Sequence, residues 1–171
     1  MKEGYLQVYT GTGKGKTTAA FGTAMRSVLH GGRVFFAQFI KMSETAELLV
    51  PDYFSNFTIM QFGEGFFLDR EPTEDDRRLA EEGLSKCLAV MSSGEYDLVV
   101  MDEVNVAIHY GLLDPAIVVA AVKSRAPGTE VICTGRNAPP ELIEAADLVT
   151  EMRKIKHYFD RGVSAREGIE Y

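Results

Sequence analysis

One segment near the start of the chain restricts the fold more than any other. Tyr5-Leu6-Gln7-Val8-Tyr9 alternates and predicts a strand. The loop TGTGKGKTT follows, from Thr10 to Thr18, and a helix is expected from about Lys16 to His30. Strand, glycine-rich loop and helix in that order, ending in Gly15-Lys16-Thr17, form a phosphate-binding arrangement. Glycines 11, 13 and 15 let the backbone curl so that N–H groups converge on phosphate oxygens, and the helix start adds its positive dipole end. Gly11, Thr12, Gly13, Lys14, Gly15, Lys16, Thr17 and Thr18 are therefore candidate nucleotide-binding residues. Lys16 offers an ammonium to the outer phosphates, and the Thr17 hydroxyl is the expected Mg²⁺ ligand. The usual pattern GxxxxGK[ST] also places a glycine five residues before Gly15, where this chain has Thr10.

Further strands are expected at Arg33 to Ile40, Phe57 to Phe62, Asp97 to Met101, Glu130 to Thr134 and from Leu148. Between them lie predicted helices. One opens at Thr73, with Asp76 at capping-box spacing, and carries Ala80, Leu84, Cys87, Leu88 and Met91 as a core stripe. Others are expected at Ile117 to Lys123 and Pro139 to Ala146. Strands alternating with helices, several of them almost wholly apolar, predict an α/β fold. Its mostly parallel sheet would be covered by helices on both faces, in the P-loop NTPase (RecA-like) manner. No linker divides residues 1–171, so a single domain is expected.

In such a sheet ligands bind beyond the carboxyl ends of the strands. The unusual loops all follow strands: Thr10 to Thr18; Gln38 and Lys41; Gly63-Glu64-Gly65-Phe66; Asp102-Glu103; and Thr134-Gly135-Arg136. They are expected on one rim. An apolar strand ending in acid is the usual companion of a phosphate loop, holding the metal directly or through water. Arg136 is placed to meet an anion, whereas Arg26, ten residues past Lys16, reads first as a surface ion-pair partner. The Gly63 to Leu68 loop suits either a lid on a large flat ligand or aromatics tucked into the core. Lys154, Lys156, Arg161 and Arg166 read as a solvated face, and the segment from Arg153 to Tyr171 has no assignable structure.

Composition narrows the function classes. Net charge is −7, against the basic excess of nucleic-acid binders, so no nucleic-acid partner is expected. No run approaches a membrane span, and Met1 to Tyr5 has no signal-peptide apolar segment. A cytoplasmic protein without a membrane partner is expected. Cys87 and Cys133 are too few and too far apart for a disulfide scaffold or a zinc site, and read as reduced core residues. His30, His109 and His157 are scattered.

Taken together, VYTGTGKGKTTAAFGTAMR, QFIK, GEGF, the DE-ended strand, TGR and KHYFDRGVSAREGIEY resemble the P-loop corrinoid adenosyltransferases of the ATP:cob(I)alamin type, over nearly the whole chain. The resemblance implies transfer of the 5′-deoxyadenosyl group of ATP to the Co(I) of a reduced corrinoid, with inorganic triphosphate leaving, in adenosylcobalamin synthesis or salvage. It makes threonine at Thr10 ordinary. It implies ATP as co-substrate and a corrinoid as substrate. Mg²⁺ would be held by Thr17 and Glu103, and Lys16, Glu103 and Phe66 would take part in catalysis. Arg26 and Arg136 fall on nucleotide-site positions. Phe66 matches an aromatic that displaces the lower axial ligand of cobalt, and Leu68 stands where the family has tryptophan; both would contact the corrinoid. A reduced flavoprotein donor and a homodimer are implied as well. The loop and the Asp102-Glu103 pair by themselves suggest ATP hydrolysis first; the alternatives to the family reading are a RecA-like ATPase or small-molecule kinase and a non-catalytic ATP and corrinoid carrier.

Overall fold

The strands come together in a computed structural model, which describes residues 3–41, 45–65 and 70–171. In chain order they are β1 Leu6–Thr10, β2 Val34–Phe39, β3 Phe57–Phe62, β4 Leu98–Asp102, β5 Glu130–Thr134 and β6 Leu148–Glu151. The helices are α1 Lys16–Leu29, α2 Glu74–Ser93, α3 Val104–His109, α4 Pro115–Lys123 and α5 Pro140–Ala145. Short 3-10 turns cover Ala46–Asp52 and Tyr158–Arg161. One six-stranded sheet runs β3-β2-β4-β5-β1-β6, and every neighbouring pair is parallel. The α/β class expected from the alternating pattern is the class observed. All six strands therefore deliver their carboxyl ends, and the loops after them, to one rim.

β2 and β4 are buried at every position, because central parallel strands are covered on both faces. The two faces are covered unequally. Tyr9, Val34, Phe36, Phe57, Leu98, Val100 and Ile132 meet Ala20, Ala24 and Val28 of α1, with Val50 and Phe54 beside them. The opposite face holds the larger core. There Val8, Phe35, Phe39, Val99, Met101 and Cys133 pack against Leu84, Cys87 and Met91 of α2 and Val118 and Val122 of α4. Each fully buried side chain of this size contributes about 1.5–3 kcal/mol relative to exposure. Both cysteines lie in that larger core as free thiols, and burial pushes Cys133 up to about 12.

The Thr73 start is a full capping box. Thr73 Oγ1 accepts from the Asp76 amide at 3.2 Å, and Asp76 accepts from the Thr73 amide at 2.8 Å. Arg70 adds an ion pair at 2.5 Å, so Asp76, short as it is, closes the box fully and is held down to about 2.

Thr10 has a local explanation. β1 continues through it, its carbonyl accepts from Met152 N at 2.8 Å, and its hydroxyl accepts from Ala138 N at 3.2 Å. A side chain that ties down the loop after β5 occupies the place of the glycine. α3 was not anticipated: six residues immediately after a strand are too few to show helical periodicity.

Candidate active site

The phosphate loop leaves β1, turns, and enters α1 at Lys16. Gly15 is the N-cap with φ 114°, in the left-handed region where a side chain is disfavoured. Gly13 has a different reason to be glycine. A Cβ there would lie 2.8 Å from the Met152 carbonyl oxygen, because the segment leaving β6 runs directly against the loop. Gly13 N also donates to Met152 O at 2.6 Å. The expected convergence of loop N–H groups on phosphate therefore does not include this one, which is taken by the chain itself.

Lys16 is buried and donates from Nζ to Gly13 O at 2.8 Å. Burial pushes its ammonium below the usual lysine range and Arg136 adds to that, while Glu103 and Asp102 oppose it. Thr17 Oγ1, one residue on, donates to Asp102 Oδ1 at 2.8 Å. Strand order makes this possible. β5 lies between β1 and β4, and Thr134 at its end bridges the gap of two strand spacings, about 10 Å. Thr134 Oγ1 donates to Asp102 Oδ1 at 2.6 Å and accepts from Glu103 N at 2.9 Å. On the other side, Lys41 Nζ pairs with Asp102 Oδ2 at 3.1 Å. Burial works against the Lys41 charge, but Asp102 holds it above the ordinary value.

The two acids at the end of β4 thus differ. Asp102 is fully buried beneath the rim with Thr17, Thr134 and Lys41 on it. Glu103 takes φ 62°, a conformation costing about 1–3 kcal/mol that is maintained where surroundings demand it. It lines the cavity on the rim instead. Burial, then the neighbouring charge of Asp102, raises its carboxyl above the usual range, against Lys41, Lys16 and Arg136.

That cavity measures about 1160 Å³. Thr12 through Thr18, Glu103 and Arg136 all border it, so the structure brings these sequence candidates together. Arg26 is different: it lies exposed in the last turn of α1, about 15 Å along the helix from Lys16, and is not among the cavity residues. It is on the surface there, but no ion pair joins it to an acid among the described residues. Gly11 lies behind the loop against Met152, where a Cβ would come within 2.5 Å of the carbonyl oxygen. Phe66 and Leu68 lie outside the described residues.

Several cavity residues were missed by the sequence reading. The segment after β6, which had no assignable structure, forms one wall with Lys154, His157, Phe159, Asp160 and Glu170. Lys154 borders the cavity while remaining exposed, and Arg166, exposed as the sequence suggested, is paired with Glu170. Lys14 turns towards this wall, donating to Ile169 O at 3.2 Å and facing Glu170 Oε1 at 3.8 Å. Arg166 and Tyr158 hydrogen-bond Glu170 and hold its carboxyl down at about 2. In the sequence Thr134 shows only as the start of a rim loop; its bridging role follows from strand order. A second hollow of about 550 Å³, between α2 and α4, is mainly apolar and receives none of the strand-end loops.

Among the described residues no group of three or more His, Cys, Asp or Glu forms a metal cluster. One threonine hydroxyl and one carboxylate still suit Mg²⁺ when phosphate and water complete the shell, since Mg²⁺ takes few protein ligands and hard oxygen. The Thr17 hydroxyl gives its proton to Asp102, so its lone pairs are free for a cation. No helix among the described residues is long and apolar enough to cross a membrane.

The sequence profile of the ATP:corrinoid adenosyltransferase BtuR/CobO/CobP family matches residues 2–171. A protein of Sinorhizobium sp named corrinoid adenosyltransferase is 39% identical, over 99% of this chain and 81% of its own length. Proteins of that name from Pseudomonas aeruginosa and Escherichia coli (strain K12) are 36% and 39% identical. Each aligns with 99% of this chain, and the alignments cover 85% and 87% of those proteins.

Proposed function

Because this chain belongs to the ATP:corrinoid adenosyltransferase family, we propose that it transfers the 5′-deoxyadenosyl group of ATP to the Co(I) of a reduced corrinoid and releases inorganic triphosphate. The cobalt electron pair attacks C5′, the Co–C bond forms, and the C5′–O bond breaks with its electron pair passing to the triphosphate. Co(I) is nucleophilic enough to need no general base. The protein's tasks are alignment, which can contribute several kcal/mol, and neutralisation of the leaving group.

The observation that carries this reading is the cavity in which the phosphate loop, Glu103 and Arg136 share one wall. Lys16 exchanges its bond to Gly13 O for phosphate oxygen. Mg²⁺ supplies positive charge to the leaving triphosphate when bound, and Thr17 and Glu103 would hold it. Asp102 fixes Thr17 from below and Thr134 fixes the Glu103 backbone. Arg136 completes the anion site. Arg26 serves the site only if a second copy or a rearrangement brings it there. Phe66 and Leu68 contact the corrinoid, a reduced flavoprotein supplies the electron, and the working form is a cytoplasmic homodimer. These last roles rest on the family resemblance.

The test is product analysis. With ATP labelled in all three phosphates, Mg²⁺ and Co(I)alamin, in the dark and without oxygen, labelled triphosphate is expected in step with a light-sensitive cobalt–carbon product. Corrinoid-independent ADP as the main product would instead return the protein to the ATPases or kinases.

A further inference from the structure

The leaving group in this reaction is unusual in one respect. The bond that breaks is at C5′, so the phosphate chain is intact before and after, and every phosphate contact made to ATP survives in the product. A site that held the triphosphate with all its cations would release it slowly, and product release limits turnover in many enzymes. Among the described residues, five cations border the cavity: Lys14, Lys16, Lys41, Arg136 and Lys154. Lys41 is committed to the fully buried Asp102. Lys14 and Lys154 are held in another way, each by an acid from the segment after β6.

Lys154 Nζ meets Asp160 Oδ1 at 3.0 Å, with side chains 43% and 51% exposed. Lys14 Nζ faces Glu170 at 3.8 Å, with 37% and 16% exposed. All four residues line the cavity. The segment that carries the acids is fixed against the loop through Met152, which bonds both Thr10 and Gly13. Glu170 is further fixed by Tyr158 and by Arg166, whose guanidinium lies 4.9 Å from the Tyr158 ring centre. The Lys154–Asp160 pair, exposed on both sides, is worth a factor of about five or less in an equilibrium, so a triphosphate can displace it and it can re-form; Lys14 and Glu170, 3.8 Å apart, are only loosely joined.

We propose that Asp160 and Glu170 are counter-charges of the triphosphate site, re-pairing with Lys154 and Lys14 as the product leaves and so weakening the site's hold on it. The proposal rests on the adenosyl-transfer reading and is tested apart from it, with inorganic triphosphate and Mg²⁺ as the probe. Calorimetric titration of Asp160→Asn is expected to show triphosphate binding about two- to five-fold tighter than the parent. Lys154→Met weakens it by a similar factor. In the Lys154→Met background, Asp160→Asn has no further effect, because the acid acts by occupying that lysine. Equal tightening in both backgrounds would mean simple repulsion between acid and phosphate and would overturn the proposal, as would no tightening in a variant with native circular dichroism and melting point. Glu82→Gln, on the exposed face of α2, serves as the charge control and is expected to bind triphosphate as the parent does. Glu170→Gln is examined in the same cycle with Lys14→Met, since Glu170 also fixes its own segment. An intact cycle in a protein that makes no cobalt–carbon product would sustain the counter-charge role and reject the transfer reaction alone.

Discussion

Replacing Asp102 by alanine detaches three groups at once. Its carboxylate is fully buried and carries Thr17, Thr134 and Lys41. Thr134, itself buried, is left without an acceptor, at about 1–3 kcal/mol; Thr17 and Lys41 border the cavity, can turn to water, and lose about 1 kcal/mol each. The sum, about 4 kcal/mol, matches the usual 3–5 kcal/mol for breaking a buried pair. In a chain of 171 residues this lowers the melting temperature by about 8–16 °C. Glu103→Ala is expected to behave oppositely. It removes a carboxylate whose burial already disfavours its charge, so the melting point stays close to the parent's or rises. Yet Mg²⁺ dependence of turnover collapses. The assay pairs thermal melts with Mg²⁺ titrations at 10 °C, where both variants remain folded. Should Asp102→Ala melt within about 2 °C of the parent while losing its Mg²⁺ response, Asp102 is the ligand and the division of labour between the two acids is refuted.

Lys16→Ala should keep its circular dichroism and lose turnover by about 10²–10³-fold, the usual cost of removing one donor to developing charge; near-normal rates remove Lys16 from the mechanism. In Gly13→Ala the new Cβ meets Met152 O at 2.8 Å and the Arg153 carbonyl carbon at 2.9 Å, so the segment after β6 must move; a melting point lowered by several degrees is expected, and an unchanged one would contradict the close approach. Asp76→Ala tests the helix cap. Its carboxyl lies at about 2 against 3.8 unfolded, so its contribution of about 2 kcal/mol is complete above pH 3.8 and disappears as pH falls towards 2. Urea melts at pH 7 should separate parent and variant, and melts at pH 2 should bring them together. Phe66→Ala should slow turnover from Co(II)alamin more than from pre-reduced Co(I)alamin, since shedding the axial ligand matters only for reduction; equal losses make Phe66 a general contact.

Local chemistry made the strand, loop and helix at the phosphate site legible, and also β3, β5 and the Thr73 capping box, which fall where periodicity and caps put them. The placement of five loops on one rim followed from parallel strands alone. Three features did not show in the sequence. Asp102 and Glu103 are adjacent, and only the left-handed turn at Glu103 separates a buried acid from one on the cavity. Thr134 needed the knowledge that β5 lies between β1 and β4. Lys154 and Glu170 were hidden because their segment has little regular structure; its position depends on Met152 and on ion pairs between distant residues, which leave no period to read.

α1 and the short turn beside it form the cover of one whole sheet face among the described residues, and α1 begins at Lys16 itself. Whatever steadies the phosphate loop therefore steadies the lid over Phe36, Val100 and Ile132. Local opening of that helix would wet this small core while leaving the larger one dry. Amide hydrogens of α1 and of the strands beneath it should exchange sooner than those of α2. Ligands that grip the loop should slow exchange across that entire face, making one side of the molecule a gauge of occupancy at the rim.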